Sequence, residues 1–277
     1  MCEMHSHTDK PQLVDLASMP RRDIIRGLAF GSLALVAPGC ATNPETGRSQ
    51  LLLVDEGQLV QMSLSAWDDQ KKKTPISRDP GLNARLTRVG RRIADASGRG
   101  AQPWEFVVFD TPEKNAFVLP GNKVGFYRGL MEIADKDDHV ATVLGHEVGH
   151  VTGRHAAERY SQNTAAQLGL GVGAAVVGGS AQSGQTQQLA MAALGLGVQV
   201  GLLLPFSRAQ ESEADQLGID YMHRAGYDVR ESLVFWQRMA ASSGGSRPPQ
   251  LLSTHPDPVN RMQALRTYIN ARGYAQV

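Results

Sequence analysis

Cysteine is nearly missing from this 277-residue chain: the two present, Cys2 and Cys40, both precede the region where folded structure is expected to begin. That argues against a disulfide scaffold. Excess charge of either sign is missing too, since 28 Lys plus Arg meet 27 Asp plus Glu. No broad field is available to hold nucleic acid or an anionic membrane surface, and no nucleic-acid partner is expected. The apolar stretch near the N-terminus, residues 27–36, is too short to span a bilayer. What is present, 42% hydrophobic and 20% charged residues, can bury one substantial core, so one main domain is expected.

Arg21, Arg22 and Arg26 precede that apolar stretch, and Ala37-Pro38-Gly39-Cys40 follows it. The order basic, apolar, small reads as an export signal over residues 1–40. Small residues before a cysteine resemble a bacterial lipobox, which implies cleavage before Cys40 and lipidation of its thiol. The competing reading is an uncut N-terminal segment with an incidental cysteine. Residues 21–26 also resemble a twin-arginine signal, which leaves the export route open. Residues 1–18 are polar, and Met19 is an alternative start. Ala41 follows Cys40 in place of the aspartate that retains lipoproteins at the inner membrane. For a Gram-negative source this implies a periplasmic protein anchored to the outer membrane.

Residues 41–54, polar over 43–50, read as a linker, and the domain as residues 55–277. A capped helix is expected over 55–73, acidic at its start and basic at its end. Another is expected over 80–97, with Pro80 first and Leu82, Leu86, Val89 and Ile93 at helical spacing. The period then shortens. Residues 104–109 and 116–119, the turn Pro120-Gly121-Asn122, and residues 123–127 predict a small sheet with a hairpin. Asp137 and Asp138 open a helix running to residue 150. Residues 165–204 are rich in small residues and read as a helical hairpin, either core or membrane-touching. A helix is expected over 208–225, then a Ser/Gly/Pro-rich loop over 242–258, and a last helix ending near Ala271. The class is α+β, mainly helical.

His146-Glu147-Val148-Gly149-His150 fits H-E-x-x-H. On a helix the two histidines lie about 40° apart on one face and can grip one ion. Glu147 is placed to reach a metal-bound water, the position of a general base. Catalytic zinc takes a third protein ligand. On a continuing helix His155 would point away from the metal face, and it reads as a surface histidine or one that supports a ligand. In 208–225, Glu211 and Asp215 share a face while Glu213 faces elsewhere. One of the pair could bind zinc and the other could accept an imidazole N–H.

The chain resembles the HtpX-like zinc metallopeptidases, metallopeptidase family forty-eight, in their short periplasmic lipoprotein form without helical repeats. Besides the H-E-x-x-H segment, the resemblance rests on Asn115-Ala116-Phe117-Val118-Leu119-Pro120-Gly121, Arg128-Gly129-Leu130, Ser207-Arg208, Glu211 with Ala214-Asp215, and Thr254-His255-Pro256 with Arg261. It implies a zincin-like fold with a hairpin beside the active-site helix and one Zn2+ on His146, His150 and Glu211. It implies also that Asp215 supports a ligand and that the hairpin borders the substrate cleft. His255 would either cap the metal in a resting state or steady an oxyanion with Arg261. Alternatively, His-Pro caps the last helix and Arg261 forms a structural salt bridge.

The expected activity is endopeptidase hydrolysis of polypeptides, with misfolded or stalled cell-envelope proteins, outer-membrane proteins among them, as the substrate class implied by the family. A chaperone-like binding role in outer-membrane protein assembly, around a latent zinc site, is the alternative.

Overall fold

The helix that carries the H-E-x-x-H segment is buried along most of its length by the other described elements. The structure, a computed structural model, describes residues 40–178, 206–242, 250–255 and 258–275. Its elements are β1 (Cys40–Thr42), β2 (Ser49–Leu51), α1 (Glu56–Lys73), α2 (Pro80–Ala96), β3 (Glu105–Phe109), β4 (Ala116–Leu119), β5 (Lys123–Tyr127), α3 (Arg128–Ile133), α4 (Asp137–Thr152), α5 (His155–Gly178), α6 (Arg208–Arg224), α7 (Glu231–Ala241), α8 (Gln250–Thr254) and α9 (Pro258–Arg272). The architecture is α+β and mainly helical, as expected.

In α4 every residue except Asp137, Asp138 and Val151 is buried. Its apolar side chains Val140, Val143, Leu144 and Val148 share one core with residues of α2, α6, α7 and α9 and of the sheet. In α2, Leu86, Val89 and Ile93 form the predicted stripe, and Asp79 caps the helix through the N–H groups of Gly81 and Leu82. Arg85 and Arg88 of that helix grip Asp137 at 2.8 Å each, which fixes the acidic first turn of α4.

The three-stranded sheet has the order β3-β5-β4. β3 runs parallel to β5, and β4 returns antiparallel through a turn in which Gly121 and Asn122 have φ of 83° and 60°. Glycine and asparagine tolerate that left-handed region best. β4 is therefore an edge strand. Trp67 of α1 closes one face of the sheet, meeting Phe109 and Phe117 edge-on at 5.9 and 6.1 Å.

Two expectations change. The residues read as a polar linker form an antiparallel hairpin, β1–β2, with Thr42 opposite Ser49. Their polar side chains are committed to the protein: Arg48 binds both oxygens of Glu158 at 2.7 and 2.6 Å, and Gln50 reaches Glu158 Oε2 at 3.2 Å. Three polar side chains of 43–50, Asn43, Arg48 and Gln50, are thus paired with the protein where solvent was expected, while residues 44–47 and Ser49 remain exposed. The loop expected over 242–258 also contains the five-residue helix α8. Of the small-residue hairpin, residues after Gly178 lie outside the described residues. Among the described residues no helix is long and apolar enough to cross a membrane.

Burial pushes the Glu158 carboxyl up, but Arg48 and then Gln210 more than offset this and hold it below its ordinary value of 4.5. A depressed carboxylate adds stability that is complete above 4.5 and is lost as pH falls through the folded-state value. Glu158→Gln should therefore cost about 2 kcal/mol at pH 7, a buried-pair loss discounted for the part-exposed arginine. The difference should shrink as pH falls below 4.5 toward the folded-state value. Urea unfolding across that range measures this, and a difference unchanged by pH would refute it.

Candidate metal centre

Two helices touching backbone to backbone create the site. A Cβ on Gly149 would lie 2.7 Å from the Ala214 carbonyl oxygen, and one on Gly145 would lie 2.9 Å from that of Gly218. Only glycine permits this approach of α4 to α6. It sets Glu211, in the first turn of α6, opposite His146 and His150. Ser207 and Gln210 form a capping box that starts α6 at that point.

The side chains converge closely. His146 Nε2 and His150 Nε2 are 3.0 Å apart, and the two oxygens of Glu211 lie 3.4 Å from one or the other. His255, just after α8, joins them: its Nδ1 is 3.1 Å from His146 Nε2 and 2.9 Å from Glu211 Oε1. These four residues are buried, and their donor atoms all lie within 4.8 Å of one another. Asp215 Oδ1 lies 2.8 Å from His146 Nδ1. A carboxylate can only accept, so His146 donates its Nδ1–H there and presents Nε2 to the cluster.

Burial and Arg261 push His146 down, yet Glu211 and Asp215 bring it up to about 9. Burial would raise Glu211, but His255 and His146 hold it well below the usual carboxylate range. His150, in contrast, is lowered well below its ordinary value by burial.

The donor set fits zinc. The shorter separations, 2.9 to 3.4 Å, lie near the edge, about 3.3 Å, of a tetrahedron with metal–ligand bonds of about 2.05 Å. Nitrogen and carboxylate donors are zinc's usual partners. Glu211 Oε2 and Glu147 Oε1 are both buried without a hydrogen-bond partner. Orphaned acceptors at such depth call for a cation or a proton.

Glu147 borders a cleft of about 900 Å³ together with His150 and His255, between α1 and the β4 edge. Asn115, just before β4, lines the same cleft, and its Oδ1 is buried without a hydrogen-bond partner. Arg261 sits on the far side of His146. Its guanidinium lies 3.5 Å over Trp236, and Nη2 donates to Asp215 and is 2.9 Å from His146 Nδ1. Its Nη1 also lies 3.9 Å from Glu211 Oε2. Cys40 opens β1, opposite Leu51.

His155 does not continue the helix of His150. Arg154 adopts φ 55° and breaks the chain between α4 and α5, so the helical projection away from the metal face does not apply. His155 is fully buried, with Nδ1 2.8 Å from His150 Nδ1 and Nε2 2.9 Å from Glu213 Oε2. Glu213 does face away from the cluster, as the helical projection indicated, but onto His155 and Arg48. Phe206, stacked 3.8 Å from the His150 ring, carried no sequence signal at all.

Residues 80–269 match the family model described as Peptidase family M48. The mitochondrial metalloendopeptidase OMA1 of Schizosaccharomyces pombe is 34% identical over 185 residues, 66% of this chain and 52% of that protein. The beta-barrel assembly-enhancing protease of Escherichia coli K12 is 29% identical over 252 residues, 89% of this chain and 51% of that protein. The chain spans about half the length of these curated relatives.

The α4–α6 contact generates a prediction. Gly149→Ala leaves every donor residue in place but should force the helices apart. Zinc affinity, measured by chelator competition, should fall at least about tenfold, the scale of losses from disturbed ligand support. Unchanged zinc affinity would show that the contact does not position Glu211.

Proposed function

On the premise that this chain belongs to peptidase family M48, we propose that it is a zinc-dependent endopeptidase acting on extended segments of polypeptide. The carrying observation is the buried His146/His150/Glu211/His255 cluster with Glu147 Oε1 beside it at the cleft, making no hydrogen bond and lying 3.6 Å from His255 Nε2. His146, His150 and Glu211 would hold the ion. Zinc at such a site lowers the pKa of a water and polarises the scissile carbonyl. Glu147 takes a proton from the attacking water at Oε1 and passes it to the leaving nitrogen, so that it ends the cycle ionised. Asp215 holds the His146 tautomer, and Arg261 holds Asp215.

The open edge of β4 supports the substrate class. An extended peptide can add there as a fourth strand, with backbone pairing supplying affinity and little demand on side chains. Misfolded or stalled cell-envelope proteins, outer-membrane proteins included, suit such a cleft. This assignment is supported by the basic-apolar-small sequence ending at Cys40 and by the printed name of the Escherichia coli relative. On this reading Cys40 is lipidated and the domain faces the periplasm from the outer membrane.

His255 supplies a fourth donor, and we assign it to a resting state in which it occupies the position that water needs. The same observation favours the second reading, a chaperone-like binding protein with a latent site, because closed sites use four protein ligands. A Glu147 oxygen beside the cluster that makes no hydrogen bond favours the peptidase.

Zinc content and casein cleavage of the full chain separate these readings. Glu147→Gln should keep zinc and lose at least about a hundredfold in cleavage, the usual worth of a general base. Glu211→Gln should lose zinc. His255→Ala should cleave faster than wild type. If the His255 variant stays as inactive as a zinc-loaded but inert wild type, the binding-protein reading takes over.

A further inference from the structure

We infer that Arg48, Glu213 and His155 form a hydrogen-bond relay that fixes the tautomer of His150, making the β1–β2 hairpin next to Cys40 a positioning element of the metal centre. The inference rests on the zinc-site reading above and goes beyond it.

The polarity of the relay follows from which groups can donate. Glu213 Oε2 accepts from Arg48 Nε at 2.8 Å and faces His155 Nε2 at 2.9 Å. Its Oε1 accepts from Asn43 Nδ2 at 3.1 Å and from the Thr46 hydroxyl. A carboxylate already accepting from these three donors is ionised and has no proton to give, so the His155 N–H is on Nε2. Nδ1 of the neutral ring is then an acceptor. At 2.8 Å it faces His150 Nδ1, which must carry the proton between them. The Nε2 lone pair of His150 is left pointing at His146 and Glu211, the only tautomer that can take a metal there. Asp215 does this for His146 directly. His150 reaches its carboxylate through a second imidazole.

The hairpin holds the relay at two points. Arg48, Thr46 and Asn43 occupy Glu213, while Asn43 and Gln50 both donate to the Gly153 carbonyl. That carbonyl precedes the Arg154 break that returns His155 to His150. A Cβ at Gly153 would fall 2.5 Å from His155 Nε2, so the turn has room for the ring only as glycine. Residues 43–50 lie outside the stretch 80–269 that matches the family model.

The test compares the full chain with His155→Phe, His155→Gln, Arg48→Ala and Arg48→Lys. Three properties are read: zinc affinity by chelator competition, the His150 tautomer in the metal-free chain by ¹⁵N-histidine NMR, and melting temperature. His155→Phe removes the acceptor and should lower zinc affinity about 10- to 100-fold, with His150 losing its pure Nδ1–H signature. His155→Gln can accept through its carbonyl oxygen and donate through its amide, and should recover most of the affinity. Arg48→Ala should lose affinity although it is remote from the ion, and Arg48→Lys should lose less.

The relay is overturned if His155→Phe keeps wild-type affinity and tautomer. It is also overturned if affinity merely follows melting temperature across all four variants. A wild type that takes up no zinc would sink the zinc-site reading instead, and the metal-free tautomer would still decide the relay.

Discussion

Everything at the centre depends on two helix backbones being able to touch. His146, His150 and Glu211 can be buried within 3.4 Å of one another because α4 and α6 meet at Gly145, Gly149 and Gly218, with no side chain between them. A methyl group at any of these positions would push backbone against backbone, and packed interiors do not absorb such changes smoothly. The glycine inside H-E-V-G-H is therefore part of the geometry, although the bare motif leaves that position unspecified.

Bringing donors together creates an electrostatic cost that the surroundings offset. Each ligand-side histidine carries its N–H toward a carboxylate outside the cluster, Asp215 for His146 and Glu213 by way of His155 for His150. These carboxylates are in turn held by arginines, Arg261 and Arg48. Arginine suits the task because it has no acceptor and keeps its charge. The outcome is a nest of ring nitrogens and a carboxylate facing inward. Such an arrangement is unfavourable in isolation and becomes favourable around a cation.

The sequence carried the backbone of this site well. H-E-x-x-H needs only helical periodicity to be read, and α4 and α6 have clear start signals. The grouping of Glu211 with Asp215 follows from the same periodicity. What it hid depends on chain reversals and long-range pairing. His155 was projected along a helix that Arg154 ends, and a single residue at φ 55° has no periodic signature. Arg48 and Gln50 read as linker because polarity alone does not distinguish a solvated side chain from one paired in the interior. Their partners, Glu158 and Glu213, lie more than a hundred residues away. Phe206 belongs to the same class: its stacking on His150 is decided by where the chain enters α6.

The four donors are not held equally, and this bears on how a site with four protein donors could still hydrolyse a peptide. His146 and His150 belong to a sixteen-residue buried helix, and Glu211 to the capped start of a seventeen-residue one. His255 follows a five-residue helix, whose Leu251 N–H donates to the Lys114 carbonyl at 3.3 Å. Lys114 adjoins Asn115 and the β4 edge. The support of the fourth donor is thus tied to the strand on which a substrate would pair. A peptide adding to β4 bears on the same stretch of backbone that anchors α8, whereas the other three donors are fixed by α4 and α6. If one donor is to leave, the one that follows the shortest helix is also the one linked to the cleft, which gives the resting-state reading a mechanical basis in the fold.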